Sequence, residues 1–513
     1  MSKAWLGSAS GADVAGREPL RPQTRMFGWA TLGLLLGGFS CVAQWSDVAP
    51  GLAYREFSRP GPVKVFVTRA DRSVNSWTID SMTSLGEIKG GRETVPDMVA
   101  RCDDSITSDG HRYAVKVAIN GDYHDMRTGV ALSGQIMSGW FARRFTEFSG
   151  GSGFVWTTDR RCFLGGDVNN KANQQQIVFA DGAKLKLNQL NEPRGKDSLV
   201  LYTPQYASDT GTDDDGIEVL VRLGAPLSLA TAGPGVAGEI VRNRGRQGST
   251  RLLFNHVVLS AQGMPAAELR SHAKAGTLVH LQLGLKDHGN PKIGLSPGDW
   301  RNAYASIGAP KYVLVNGNVP RDWEAKAAKY ASEGKKHGSV VKDPRTAVAF
   351  NDRHVYFLVI DGRSAASVGM TFTEAGVFCR DELKATDAAL QDGGGSSTLW
   401  VDGKVRNTPS GKGKDEKAGV LRPVANGLFI AQVLPPKRSD AFKAGQKVRL
   451  KSGAELRLGP GTNFGSAGKV ATSDGDILAE PLNGIFAKGN YWWLGRFGEV
   501  DGWAALEQLT VVQ

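Results

Sequence analysis

The chain has 513 residues, of which 41% are apolar, and carries a formal charge of +11 at pH 7. At roughly 150 residues per domain this is enough for two to four domains with real cores. Its basic residues are scattered, with no Arg/Lys stripe interleaved with aromatics, which argues against nucleic acid and leaves anionic partners such as cell-surface polymers or membrane.

Arg17, Arg21 and Arg25 precede an uncharged apolar stretch, Met26 to Ala43. At 18 residues it is short for a spanning helix, which needs about 20. A basic flank, a Leu-rich centre and small residues before Gln44 fit a secretory signal, with Cys41-Val42-Ala43 as a cleavage site. The long segment before it keeps an uncleaved signal-anchor open, and a lipid-attached Cys41 is a third option. Residues 1–43 are therefore read as an export signal or anchor, and the remainder as exported to a periplasmic, cell-envelope or extracellular location. Membrane contact is expected only through this segment if it stays uncleaved. Beyond Cys41 only Cys102, Cys162 and Cys379 remain. In an oxidising compartment one pair can form, and the sequence does not say which. Neither Cys-x-x-Cys nor His-Glu-x-x-His occurs, so zinc has little support.

With 65 glycines and short Val/Ile/Leu runs between turn signals, the chain reads as α+β and β-rich. Mixed sheets with a few covering helices are expected, plus a small C-terminal β-barrel. Val63 to Val67, Trp77 to Asp80 and Tyr113 to Ile119 read as strands, and Asp97 to Cys102 as the end of a helix. Strands recur from Phe154 to Leu285, clearest at Ser198 to Tyr202 and Ile217 to Leu223, and Ala266 to Ala275 is a short helix. Turns at Asn316-Gly317, Asn351-Asp352 and Asp402-Gly403 join apolar arms into hairpins. Asp322 to Glu333 is a charged surface helix or loop. Thr371 or Thr373 caps a helix running toward Lys384, and Pro409 to Lys417 reads as a mobile loop. Leu434-Pro435-Pro436-Lys437-Arg438 is the best linker. The domains read as 50–432, a linker at 433–445, and 446–513, where short strands with aromatic punctuation suggest a closed barrel.

The most telling segment is Asp392-Gly393-Gly394-Gly395-Ser396-Ser397-Thr398. Three glycines weaken a strand or helix by roughly 1 kcal/mol each, a cost accepted where the backbone turns sharply or approaches a ligand closely. Successive free N–H groups there can cradle an anion beside a carboxylate; a plain inter-strand turn is the alternative. Asp361, followed by Gly362-Arg363, also ends an apolar run. Glu374 sits in the intervening helix, where it can equally be a cap. Asp122 follows the strand ending at Asn120. Arg345 opens one strand and Arg422 another, and Arg suits bidentate phosphate recognition. Gly294-Leu295-Ser296-Pro297-Gly298 imitates a hydrolase nucleophile elbow, but Pro297 has no N–H for an oxyanion hole. The triple glycine lacks the Gly-Lys-Ser/Thr ending of a nucleotide loop. His124 is a lone loop histidine, available as acid or base.

Several segments, in this order, resemble the phosphodiester glycosidase family across roughly residues 50–432: Asn120-Gly121-Asp122-Tyr123, Asn316-Gly317, Pro344-Arg345-Thr346-Ala347-Val348, Asp361-Gly362-Arg363, Thr371 to Glu374, Asp392 to Thr398, and Arg422-Pro423-Val424-Ala425-Asn426. Leu201-Tyr202-Thr203-Pro204 and Gly216-Ile217-Glu218-Val219 are similar to secreted bacterial members. His124 and Gln391 depart from the usual pattern. The tail, through Leu456-Arg457-Leu458-Gly459-Pro460-Gly461 and Gly502-Trp503, resembles the bacterial Src-homology-3-like barrel, which implies a cell-wall polymer as a further partner. The resemblance implies an exported hydrolase that cleaves a sugar from a glycosyl-1-phosphodiester in an anionic glycan. Asp392, Glu374 and Asp361 would be its catalytic carboxylates. Asn120, Asp122, Arg345, Thr346, Gly394, Gly395, Ser396, Ser397, Thr398, Arg422 and Asn426 would bind substrate. The sequence reveals no metal or cofactor, although the carboxylates could hold calcium. A non-catalytic glycan-binding protein and a glycosyl-phosphate transferase are the competing readings.

Overall fold

A strict two-residue alternation of apolar side chains builds the sheet that carries most of the candidate residues. In Arg345–Phe350, Ala347 and Ala349 join one core while Val348 and Phe350 join another. In His354–Ile360, Leu358 and Ile360 face the first, and Phe357 and Val359 the second. Successive strand side chains point to opposite faces, so this pattern demands a sheet covered on both sides. The structure, a computed structural model, describes residues 44–512 apart from 148–151, 172–173, 230–232, 309–310, 336, 412–418, 469 and 471–472. The apolar stretch expected to direct export lies outside these residues, as does most of the expected loop from Pro409 to Lys417. No helix among the described residues is long and apolar enough to cross a membrane.

Sheet I has seven strands in the order Ser46–Ala49, Leu52–Arg59, Val63–Asp71, His354–Ile360, Arg345–Phe350, Asp387–Leu390 and Lys311–Leu314. One face packs on sheet II, whose order is Lys404–Val405, Leu399–Val401, Arg112–Asn120, Asn426–Leu434 and Trp77–Thr83. A third sheet, containing Gly153–Thr157 and Ala303–Ile307, closes the same core through Phe154, Trp156 and Ile307. Among the described residues four α-helices cover the layers: α1 (Val95–Cys102), α2 (Met264–His272), α3 (Asp322–Ser332) and α4 (Phe372–Asp381). Helix α4 lays Phe372, Ala375 and Phe378 on the outer face of sheet I, and Trp323 of α3 joins them. Helix α1 covers sheet II with Val95, Met98 and Val99. An eight-stranded sheet between Gln175 and Leu283 forms a separate core.

The architecture is β-rich with few helices, as the sequence implies. Among the described strands every pairing is antiparallel except the short one between Gln189–Leu190 and Leu199–Tyr202, so the sheets are less mixed than expected. The hairpin turns agree with their chemistry: Asn316 and Gly317 (φ 48° and 77°) and Asp402 and Gly403 (φ 43° and 87°) both take the paired positive φ of a type I′ turn. Cys102, Cys162 and Cys379 are free thiols, not the partial disulfide set an oxidising compartment allows.

The C-terminal residues from Lys447 form a sheet of eight short antiparallel strands with its own core, including Val448, Leu456, Trp493 and Phe497. It does not swing freely. Phe254 N–H donates to Leu458 O (2.8 Å), Arg222 Nη1 to Ala479 O (2.6 Å) and Lys488 Nζ to Ala100 O (2.9 Å). The expected linker is tied down as well, since Ser439 N–H donates to Gly484 O (2.8 Å).

Candidate active site

Strand register decides which residues meet. In sheet I, Arg345 pairs with Ile360, Ala347 with Leu390, and Lys311 with Leu390. Asp361, Arg345, Asp392 and Lys311 therefore stand side by side at one sheet edge, on strands about 4.8 Å apart. In sheet II, Gly427 pairs with Asn120 and Leu399 with Ile119, which brings Asn120, Asn426 and the triple-glycine segment to the same edge.

Asn120 locks the two edges together. Its Nδ2 donates to Asp392 O (2.7 Å), while its Oδ1 accepts from Thr346 Oγ1 (2.7 Å) and from Thr398 N–H (3.1 Å). The Asn120 and Thr346 side chains are fully buried, and Asn426 nearly so. Asn426 Oδ1 accepts from Asp122 N–H (2.8 Å) and its Nδ2 donates to Gln135 Oε1 (3.2 Å). These three side chains, expected to touch substrate, instead spend their polar atoms on the scaffold. Asn120→Ala strands buried donors on Thr346 and Thr398, each costing about 1–3 kcal/mol. A loss of about 2–4 kcal/mol in denaturant unfolding is expected, with reduced activity because Asp392 loses its backbone anchor.

The glycines explain themselves once their neighbours are known. A Cβ on Gly395 would lie 2.6 Å from Arg422 Nη2, and one on Gly394 (φ 63°) would lie 2.7 Å from Arg363 Nη2. One on Gly393 would meet Pro344 O at 2.7 Å, with Arg345 Nη1 at 3.7 Å. Arg422 and Arg363 are thus stationed against Gly395 and Gly394, where only bare backbone fits, while at Gly393 the Pro344 carbonyl excludes a side chain and Arg345 lies in ordinary contact. Gly394–Ser396 forms a single 3₁₀ turn. Ser396 Oγ donates to Asp392 Oδ2 (2.5 Å) and accepts from Arg422 Nη1 (3.1 Å). Arg363 makes a two-bond pair with Asp343 (2.7 and 2.9 Å). Arg345 is buried; its Nε donates to Met370 O (2.9 Å), its Nη2 to Val341 O (2.8 Å), and its guanidinium lies 4.7 Å from the centre of the Phe372 ring. Ser397 and Thr398 are buried beneath the turn, with Thr398 Oγ1 donating to Ser396 O (3.2 Å).

Beside this turn lies a cavity of about 630 Å³, lined by Asp122, Tyr123, Lys311, His337, Arg345 and Phe372 among others. Asp122 is 2% exposed and accepts from Ser133 N–H (2.7 Å). Burial, with the charge of Asp392 added, pushes its carboxyl up to about 8. Burial also raises Asp392, but Ser396 and Arg422 oppose it. The two carboxyls therefore divide their roles near neutrality: Asp122 keeps its proton and Asp392 is the better anion. Tyr123 is raised to about 12, chiefly by burial, with Asp392 adding to the shift and Arg345 opposing it. His124 is held below its usual range by burial and by Arg92 and Arg422.

The other expected catalytic carboxylates have their oxygens engaged by the scaffold. Glu374 belongs to the capping box of α4: its Oε2 accepts from Thr371 N–H (2.8 Å), and Oε1 pairs with Lys342 (2.7 Å). Both oxygens are committed, and Lys342 and Thr371 outweigh burial to lower its pKa. Glu374→Gln keeps an acceptor for the cap and loses a solvent-screened ion pair, so a cost under about 1 kcal/mol and unaltered turnover are expected in steady-state assays. Asp361 is buried and accepts from Thr408 N–H (3.1 Å) and Asn407 Nδ2 (3.4 Å), while Asn407 also donates to Ser397 O (3.0 Å). It braces the wall behind the glycine turn. Among the described residues no group of three or more His, Cys, Asp or Glu side chains is placed to hold a metal ion, so the carboxylates form no calcium cluster there.

Residues 236–431 match the phosphodiester glycosidase family model. The matched span holds Arg345, Asp361, Asp392, Arg422 and Asn426, and stops short of Asn120 and Asp122 on the N-terminal side. Similar solved structures include a hypothetical protein from Synechocystis (13% identity, 77% of this chain and 64% of that one, TM-score 0.46). Another is a protein of Burkholderia pseudomallei provisionally named as exported (19% identity, 73% and 74% covered, TM-score 0.45). A third is the catalytic domain of zebrafish N-acetylglucosamine-1-phosphodiester alpha-N-acetylglucosaminidase, auto-inhibited by its pro-peptide (14% identity, 77% and 84% covered, TM-score 0.33). The chain spans 64% of the length of the Synechocystis protein. No curated protein sequence matches it.

Proposed function

We propose that the protein is an exported hydrolase that releases a sugar from a glycosyl-1-phosphodiester of an extracellular or cell-surface glycan. The observation that carries this reading is the stationing of Arg363 and Arg422 against Gly394 and Gly395, with Arg345 in contact at Gly393, directly beside the Asp392–Asp122 pair. An anion clamp and two carboxyls of unlike protonation are what this reaction asks for. Breaking the sugar C1–O bond places positive charge on the ring, and the carboxylate of Asp392 stabilises it and takes the proton of the attacking water. The phosphodiester leaves as a phosphomonoester and gains a second negative charge. Arg345 and Arg422, with backbone N–H groups of the glycine turn, meet that charge in a site already shaped for it. The neutral carboxyl of Asp122 donates a hydrogen bond to the same departing group.

Asp122 takes the second carboxyl role in place of Glu374 and Asp361, whose oxygens are committed to a helix cap and a loop. A pure glycan binder has no use for paired acids, which disfavours the binding-only alternative. The C-terminal residues 446–513 are read as a Src-homology-3-like module that holds cell-wall polymer near the catalytic domain, 50–432. Incubating the purified protein with alkyl and aryl sugar-1-phosphodiesters should release free sugar. Binding without release would favour the glycan-binding alternative, and transfer of the glycosyl phosphate to an added alcohol would favour a transferase.

A further inference from the structure

The cavity has a wall that the cleavage of one diester does not use. Lys311, the first residue of its edge strand, and His337 line it together with Arg345 and Phe372. Lys326 on α3 stands nearby, its ammonium 4.6 Å from the centre of the Trp323 ring. Trp323, Phe372 and His337 form a continuous aromatic bed, with Trp323–Phe372 and His337–Phe372 centroids 4.9 and 5.6 Å apart. Ser339 N–H donates to His337 Nδ1 (3.1 Å), which puts the ring proton of the neutral imidazole on Nε2 and makes that atom a donor. Among the described residues neither Lys311 nor Lys326 forms an ion pair, whereas Lys342 and Arg363 beside the same site pair with Glu374 and Asp343. The three cations Lys311, Lys326 and Arg345 together hold His337 neutral, after burial, by repulsion. Like charges such as Lys311 and Lys326, with no ion-pair partner among the described residues, cost stability unless an anion joins them. Trp323 and Phe372 are buried, so the bed braces the wall, and the half-buried His337 ring and the cations are what it offers a charged sugar unit.

We propose that this wall is a subsite for a second, negatively charged sugar unit, so that the preferred substrate is an acidic glycan with charge on the unit next to the scissile phosphodiester. The inference rests on the phosphodiester-glycosidase reading of the neighbouring carboxyls. The second charge is either a further phosphate or a sugar carboxylate, and both are met by the same Lys311, Lys326 and Nε2–H donors.

Three N-acetylglucosamine-1-phosphodiesters of equal length test it: one with glucose as aglycone, one with glucuronic acid and one with glucose phosphate. In the full chain at low salt, kcat/KM for at least one charged aglycone should exceed the glucose value by about tenfold, and the charged aglycone that gains identifies the group. The advantage should shrink at 1 M NaCl, where screening acts over about 3 Å. Lys311→Met combined with Lys326→Met should bring the charged-to-neutral ratio close to one, and Lys311→Arg should preserve it. Equal kcat/KM for all three in the unaltered protein, or a ratio indifferent to the double substitution, overturns the subsite. If none is cleaved, calorimetry separates the two ideas. Tighter, Lys311-dependent binding of a charged diester would keep the subsite and sink the hydrolase reading, and equal binding would sink both.

Discussion

Asp392→Asn should lower kcat for a sugar-1-phosphodiester by three orders of magnitude or more while the protein unfolds at the same denaturant concentration. The structure explains both halves. Asp392 is tied into the scaffold by its main chain: its N–H donates to Gly121 O (2.8 Å) and its carbonyl accepts from Asn120 Nδ2 (2.7 Å). Its side chain accepts from Ser396 Oγ (2.5 Å), which an amide oxygen can also do. An asparagine therefore keeps the shape and its bonds and removes only the charge. That charge lies beside Arg422, and the transition state needs it opposite the developing oxocarbenium ion. A thousandfold loss corresponds to about 4 kcal/mol, an ordinary magnitude for deleting a pre-positioned charge from a water-poor site. Turnover within a few fold of the unaltered protein would remove Asp392 from the chemistry. A lowered unfolding midpoint would mean that the loss of activity reports damage to the glycine turn instead.

The sheet framework was legible because alternation and turn chemistry are local. Asn316-Gly317, Asp402-Gly403 and the Thr371–Glu374 capping box each act over three or four residues, and each appears where the sequence put it. The glycine run was legible as a close approach, but not what approaches it. Arg363, close in sequence to Asp361, is brought over Gly394 by an ion pair with Asp343 that no short pattern announces. The division of labour among carboxylates was hidden for the same reason. Asp361, Asp392 and Glu374 look alike in sequence; the hydrogen bonds that commit Asp361 to residues 407–408 and Glu374 to Lys342 come from segments brought in by tertiary packing. Asn120 was expected to touch substrate through the family resemblance of Asn120-Gly121-Asp122-Tyr123, which says nothing of what packs over that segment. Here a second sheet covers it, and only that covering turns it into a buried lock. Lys311 gave no signal at all, since its register against Leu390 is a property of the sheet and not of its neighbours in the chain.

Asp122 should impose the alkaline limb of the pH profile. Its carboxyl stays protonated in the folded protein up to about pH 8, against about 3.8 for the unfolded chain. Between those values the folded state binds a proton that the unfolded state does not. The contribution of Asp122 to stability is therefore complete below about pH 4 and is lost as pH rises through about 8. The same proton is the one donated to the departing phosphate. That group's second ionisation lies near pH 6, so a carboxyl at about 8 strengthens its hydrogen bond as charge develops and does not surrender the proton outright. kcat/KM should hence fall above about pH 8 in the unaltered protein. Asp122→Asn retains an N–H donor that cannot ionise, so its profile should be flat across that range, with activity reduced but measurable. Asp122→Ala has no donor and should lose about a hundredfold to a thousandfold in kcat, the scale seen when one donor to a developing anion is deleted. An alkaline limb that survives in Asp122→Asn would assign the titration to another group, and an alanine variant as active as the asparagine variant would show that the departing phosphate takes no hydrogen bond from this position.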